Sequence, residues 1–196
     1  MSLPEGASAG TVLAVLMLFV GSLLHIIGLS TTEWSVSNNE QGSSSSGLWK
    51  ECLNGKCEDR KDTKESIRTC GAMAILGMLV SFVAIGLAVA DIYIRVRGSV
   101  SSLPLPIISA ACSAISFVFI VVCIIIWSAT IGSSTYQYTY TDYTIRVSSY
   151  YHYSFSIGFS FILSILGGII IVSGGGVYLY TSRFISKSAD VGTRFT

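Results

Sequence analysis

Two cysteines bracket the segment CLNGKC, whose spacing and turn residues suit a disulfide bond. Asn-Gly is the favoured pair for a two-residue type I′ hairpin turn. Such a turn sets Leu53 opposite Lys56 and Cys52 opposite Cys57, in a pair whose Cα atoms approach to roughly 4.5–5.5 Å. That separation fits disulfide geometry, so we predict a Cys52–Cys57 disulfide in a β-hairpin. Two free thiols on a turn or half of a zinc site remain the alternatives, and no second pair of zinc ligands lies nearby.

The composition of the chain around this hairpin is that of a membrane protein. Of the 196 residues, 51% are hydrophobic and only 12% are charged, with a mean hydropathy of +0.66. A soluble domain usually carries about 25% charged residues. The net charge of +1 lacks the excess of basic residues that is typical of nucleic-acid-binding proteins. Two histidines leave little for a metal site or a His-based catalytic site, so we predict no catalytic residues, metal or cofactor.

Four apolar windows are long enough to cross a bilayer as helices, since a span needs about 20 residues. They cover about residues 10–29, 71–90, 107–127 and 156–178. They leave outer loops at about 30–70 and 128–155 and a tail at about 181–196. A cleaved signal peptide is the alternative for the first window, although that window lacks a positively charged start.

Four spans place both termini on the same side of the membrane, but the positive-inside rule gives no clear orientation here. The long first loop holds many Lys and Arg residues mixed with acidic ones, whereas the short inner loop and the tail are more purely basic. Disulfides persist in oxidising compartments, so the predicted hairpin bond decides the question. We expect a multi-pass plasma-membrane protein with the hairpin outside, both termini in the cytosol and a place at cell–cell junctions.

The first outer loop contains a recognisable series of residues, in chain order Trp34, Gly47-Leu48-Trp49, Cys52, Cys57 and Arg68. With four spans, a long first loop and a short second one, this series resembles the W…GLWxxC…C signature of the claudin superfamily. That superfamily includes peripheral myelin protein, epithelial membrane proteins, lens fibre membrane protein and calcium-channel gamma subunits. Two features mark this chain as a divergent member. The first loop has no N-glycosylation sequon, and the end Arg194-Phe195-Thr196 makes a PDZ scaffold doubtful.

The resemblance implies an integral membrane, mainly α fold: a four-transmembrane-helix bundle in a single domain. A small extracellular antiparallel β-sheet would come from the first and second outer loops. Trp34 and Gly47-Leu48-Trp49 would anchor this sheet at the outer membrane surface, and Arg68 would cap the second helix. These roles are structural and are shared by junction proteins and channel subunits.

The second outer loop is rich in tyrosine. Tyr136, Tyr138 and Tyr140 alternate with polar residues, which predicts a half-exposed strand. Further aromatic residues follow, among them Tyr143, Tyr150 and Tyr151. An aromatic belt on lipid headgroups and a contact surface for a protein partner both fit this pattern, because tyrosine is enriched in each.

Three groups of side chains in the spans have predicted roles. His25, the one ionisable residue inside a window, is predicted to be neutral and hydrogen-bonded to a neighbouring helix; a proton relay is the alternative, for which the windows offer no Asp or Glu partner. Cys112 and Cys123 share a helix face but lie about 16 Å apart along the axis, so they are predicted to pack and not to bond each other. Trp34 and Trp127 lie at the outer ends of spans and are predicted to anchor in the membrane interface.

These observations predict a non-enzymatic tetraspan protein of claudin type that acts in cell–cell junctions, adhesion or a paracellular barrier. It would self-associate through its outer loops with copies or related tetraspan proteins, in cis and in trans. The alternative is an auxiliary subunit of an ion channel or receptor. An enzyme or transporter is disfavoured, since we find no nucleophile–base set and no inverted repeat of broken helices. Asp59 and Asp62 are candidate charges for an ion path. The charged run that contains them, Glu58-Asp59-Arg60-Lys61-Asp62, also suits a solvated face or turn.

Overall fold

The computed structural model describes residues 9–39, 42–60, 65–97, 104–132 and 156–192. Four helices dominate it, α1 (Ala9–Ser30), α2 (Glu65–Val96), α3 (Leu105–Gly132) and α4 (Phe159–Gly192). Each is long and apolar enough to cross a membrane. The helices extend past several of the hydropathy windows, because hydropathy marks the lipid-buried stretch and not the helix ends. The predicted four-helix membrane fold is confirmed.

A small antiparallel sheet completes the predicted architecture. Its strands are β1 (Ser35–Asn39), β2 (Gly42–Ser46), β3 (Lys50–Leu53), β4 (Lys56–Asp59) and β5 (Ser156–Ile157). Their order is β4-β3-β2-β1-β5, and all neighbours are antiparallel. Below, the membrane side that bears the sheet is called the sheet side.

The fourth helix begins at Phe159, later than the hydropathy window, because the preceding residues form a strand. Ser156 and Ile157 pair with Val36 and Ser35 of β1. A short apolar segment fits a strand or a helix equally well by composition, so the sequence alone could not place this boundary. The strand arrives from the second loop, as the family resemblance implies.

The helices pack most extensively as two pairs, α1 with α4 and α2 with α3. Small residues bring α1 and α4 together. A Cβ on Gly28 would lie 2.7 Å from the carbonyl oxygen of Ser160, and one on Gly21 would lie 2.8 Å from that of Gly167. Close backbone approach of this kind drives helix association in lipid, because burial from water contributes nothing there.

Polar contacts join the two helix pairs. His25 Nε2 donates to the Ala74 carbonyl oxygen of α2 at 3.2 Å, which confirms the predicted bond to a neighbouring helix. Ser22 donates to Ser81 Oγ at 3.0 Å, again from α1 to α2. Each of these two side chains donates a hydrogen bond to α2, where lipid offers no alternative acceptor, whereas His25 Nδ1 is buried without a partner among the described residues.

A second disulfide bond joins Cys70 of α2 to Cys123 of α3 near the sheet side, with the Cα atoms 4.3 Å apart. This bond was not predicted from the sequence, and the prediction that Cys123 only packs is wrong. Both residues lie close to the sheet-side ends of their helices, and matching their depths could have suggested the pair. That step needs α2 and α3 to be neighbours, which hydropathy does not reveal. Cys112 remains a free thiol.

On the opposite side of the bundle, a polar cluster ties α4 to α2. Asp91 follows the second hydropathy window, which ends at residue 90, but it lies inside α2 with its carboxylate buried. The Tyr178 hydroxyl donates to Asp91 Oδ2 at 2.7 Å, and Arg95 Nε donates to the same oxygen at 2.9 Å. The carboxylate is therefore held by partners on two helices.

We expect Tyr178→Phe to lower the free energy of unfolding by about 1–3 kcal/mol, because it removes a donor from a buried carboxylate. Thermal unfolding of the purified protein in detergent micelles measures this change in stability. Tyr93→Phe is the matched control, since Tyr93 lies at the same end of the bundle with an exposed ring. Equal stability of the two variants would contradict a stabilising contact between Tyr178 of α4 and Asp91 of α2.

Candidate functional site

The sheet side is the candidate functional site, because the residues of the sequence signature converge there. Beneath the sheet lies a buried apolar cluster that draws on all four helices and the first loop. Its members are Leu29, Trp34, Leu48, Ile67, Cys70, Ala74, Cys123, Trp127 and Phe161. This cluster fixes the sheet to the bundle.

Trp34, only 1% exposed, lies at the centre of the cluster. Its ring centroid lies 5.3 Å from that of Trp127 and 5.9 Å from that of Phe161, both in edge-to-face arrangements that aromatic rings favour. The prediction that Trp34 and Trp127 anchor in the membrane interface is wrong, because the two indoles are buried against each other. Trp34 instead fastens the first loop to the helices.

Both signature tryptophans donate hydrogen bonds to the last turn of α1. Trp34 Nε1 donates to the Gly28 carbonyl oxygen at 2.7 Å, and Trp49 Nε1 donates to that of Leu29 at 2.9 Å. The last four carbonyls of a helix have no partner within it, and α1 ends at Ser30. The two indoles therefore supply donors that the helix end lacks.

Each residue of the Gly47-Leu48-Trp49 segment makes a different packing contact. A Cβ on Gly47 would lie 2.7 Å from the Cα of Thr32, so this close approach excludes a larger residue. Leu48 is buried in the apolar cluster. The Trp49 ring lies across Gly71 of α2, 3.0 Å from where a Cβ on that glycine would be. Close packing thus joins the segment to both the first loop and α2.

The β3–β4 hairpin has the predicted register and disulfide. Cys52 pairs with Cys57 across the ladder and is bonded to it, with the Cα atoms 4.0 Å apart. Asn54 and Gly55 have φ angles of 50° and 79°, the left-handed pair that a type I′ turn requires. Leu53, next to the turn, is 64% exposed. The sequence therefore determined this hairpin locally.

Arg60 lies beneath the sheet, with a side chain only 4% exposed. Its Nη2 contacts Ser46 Oγ and the Glu51 carboxylate, and its guanidinium carbon lies 5.8 Å from the centroid of the Trp127 ring. Nε and Nη1 are buried and have no acceptor among the described residues. The prediction of a solvated charged run is wrong for Arg60. Trp127 is distant in sequence, so no local signal pointed to this contact.

The remaining predicted residues lie at the surface or outside the described part of the chain. Arg68 is exposed in the first turns of α2. Asp59 is 87% exposed and lies 4.0 Å from Lys50, a pairing that contributes little in water. Outside the described residues lie Asp62 and the tyrosines Tyr136, Tyr138, Tyr140, Tyr143, Tyr150 and Tyr151.

The hairpin presents an exposed surface of mixed charge around one apolar side chain. Its exposed residues are Lys50, Glu51, Leu53, Asn54, Gly55, Lys56, Cys57, Glu58 and Asp59. Within the described ranges, no group of three His, Cys, Asp or Glu residues could hold a metal ion. Such a surface suits contact with another protein.

Comparison with known families agrees with this architecture. The model of the PMP-22/EMP/MP20/Claudin family matches residues 9–171, from α1 through the sheet into α4. A comparison with curated proteins gave no match.

Proposed function

Because the chain belongs to the PMP-22/EMP/MP20/Claudin family, we propose that it is a non-enzymatic adhesion protein of cell–cell junctions. It would self-associate through its sheet side, both within one membrane and between two. The observation that supports this most is the exposed β3–β4 hairpin on a sheet fixed to all four helices. A pre-ordered surface loses little conformational freedom when it binds.

The proposal places the sheet outside the cell, at the plasma membrane, with both termini in the cytosol. Two disulfide bonds support this orientation, Cys52–Cys57 in the sheet and Cys70–Cys123 near the sheet-side helix ends. Both lie towards the same side of the bundle, and disulfides persist where the compartment is oxidising.

The proposed partners are the lipid bilayer and other tetraspan proteins, above all further copies of this chain. The tyrosines of the second loop, from Tyr136 to Tyr151, would contribute contacts to such a partner. Tyrosine suits this role because it combines a large apolar ring with a polar tip.

Imaging of mixed cultures tests the proposal. The fluorescently tagged protein is expressed in cells without tight junctions and mixed with cells that lack it. We expect enrichment only where two expressing cells touch. Leu53→Asp should abolish that enrichment, and the control Arg97→Gln, at the opposite end of the bundle, should keep it. Uniform signal over the plasma membrane would contradict adhesion and favour the channel-subunit alternative, for which crosslinking would identify the partner.

If the junctions form a barrier with an ion path, Asp59→Lys should change its ion selectivity. The exposed carboxylate would attract cations, so reversing its charge should reduce the preference for cations over anions. Dilution potentials across a monolayer that expresses each form measure this preference. Unchanged dilution potentials, with equal surface expression of the variant, would show that Asp59 does not influence the ion path. Asp62→Lys is the second variant of the same experiment.

A further inference from the structure

The two disulfide bonds differ sharply in their access to solvent. Cys70 and Cys123 are 0% and 1% exposed and belong to the apolar cluster under the sheet. Cys57 is exposed and Cys52 is partly exposed, at the outer edge of the sheet. Thiol–disulfide exchange requires a thiolate to reach a sulfur atom in line with the bond, so access largely decides which bond reacts.

The side chains of β4 make few contacts apart from the exposed disulfide. This strand is at the edge of the sheet, and all four of its side chains are exposed. The ion pair between Lys50 and Asp59 is 4.0 Å long and solvent-exposed, and such pairs contribute little. Beyond the disulfide, β4 is held to β3 by the antiparallel backbone ladder from Lys50–Asp59 to Leu53–Lys56. The Cys52–Cys57 bond therefore adds a covalent link that reinforces this ladder.

The neighbouring residues are held independently of that bond. On the β3 side of the turn, the Asn54 N–H donates to the Ser43 carbonyl oxygen at 2.9 Å, and Asn54 Oδ1 accepts from the Ser43 N–H at 3.1 Å. After β4, Arg60 donates its backbone N–H to Trp49 O at 3.1 Å and is buried over Trp127. Loss of the disulfide would thus leave the segment between these two fixed points held to β3 by its backbone ladder alone.

We propose that Cys52–Cys57 is a thiol–disulfide exchange site whose reduction opens β4 while the rest of the fold stays intact. The reductant is a small thiol in the compartment that the sheet faces. Its thiolate attacks Cys57 Sγ, breaks the Sγ–Sγ bond, and leaves a mixed disulfide and a Cys52 thiolate that takes up a proton. A second thiolate then attacks the mixed disulfide, which releases the oxidised small-molecule disulfide and leaves Cys57 to be protonated.

Differential alkylation of the full-length protein in lipid nanodiscs tests the exchange. The protein is treated with reduced glutathione, alkylated with a light reagent, then fully reduced, denatured and alkylated with a heavy one. Peptide mapping should show light label on Cys52 and Cys57 about a hundredfold faster than on Cys70 and Cys123. Equal rates for both pairs, or no reduction of Cys52–Cys57 before global unfolding, would overturn the proposal.

Hydrogen exchange tests the opening itself. After reduction, amides of β4 should exchange at least about tenfold faster, while those of β1 and β2 keep their rates. Reoxidation should restore protection. The double variant Cys52→Ser/Cys57→Ser should show fast β4 exchange without glutathione and no response to it. Unchanged β4 exchange in the reduced protein, or loss of protection throughout the sheet, would contradict a local switch. Neither experiment depends on adhesion, so failure of the adhesion proposal would leave its outcome unaffected.

Discussion

Replacing Trp34 with alanine is expected to lower the free energy of unfolding by about 3–5 kcal/mol, the range for a buried aromatic residue cut to alanine. The loss has two sources. The cavity removes the contacts with Trp127 and Phe161, and the Gly28 carbonyl loses the indole donor. Unfolding by heat or denaturant in detergent micelles measures the change.

Two further variants separate these sources. Trp34→Phe keeps an aromatic ring but has no N–H, so we expect an intermediate loss of stability. Trp49→Ala removes a half-exposed indole with the same kind of bond to α1, and we expect a smaller loss than for Trp34. A change below about 0.5 kcal/mol for Trp34→Ala, as is usual at surface sites, would contradict its central role in the cluster.

The second large effect is expected at the contact between α1 and α4. Gly28→Ala would place a Cβ 2.7 Å from the Ser160 carbonyl oxygen and against Ser164 Oγ. The Ser164 hydroxyl can rotate, but the Ser160 backbone cannot move without separating the helices. Overpacking of this kind costs about 1–3 kcal/mol. The same unfolding measurement should show this loss.

Gly176→Ala is the matched control, because a Cβ on that glycine of α4 would meet nothing within 4 Å. We expect this variant to be as stable as the unmodified protein or slightly more so, since alanine favours helix. Equal losses for Gly28→Ala and Gly176→Ala would mean that close packing of α1 on α4 does not hold the bundle together.

The features that the sequence predicted well are local ones. Asn54-Gly55 specifies its own turn, so the register of Cys52 and Cys57 follows from chain geometry. The four spans follow equally from composition, because lipid requires long apolar helices. The family signature added the sheet, which a serine-rich segment such as β2 would not predict by β-propensity.

The features that the sequence did not predict depend on which elements meet. The Cys70–Cys123 bond requires that α2 and α3 be neighbours, and Arg60 is buried only because the sheet folds over Trp127. An aromatic residue at the end of a span looks like an interfacial anchor until the facing elements are known. Trp127 is therefore the clearest case in which a local rule failed for a tertiary reason.

The central claim, that the sheet side mediates self-association between membranes, is best tested with purified components. Two sets of lipid vesicles, labelled with a donor or an acceptor dye, each receive the full-length protein and are mixed. We predict energy transfer from vesicle clustering when both sets carry the protein, and its loss with Leu53→Asp in both sets. No clustering above protein-free vesicles, with intact disulfides and the sheet facing outwards, would contradict the claim.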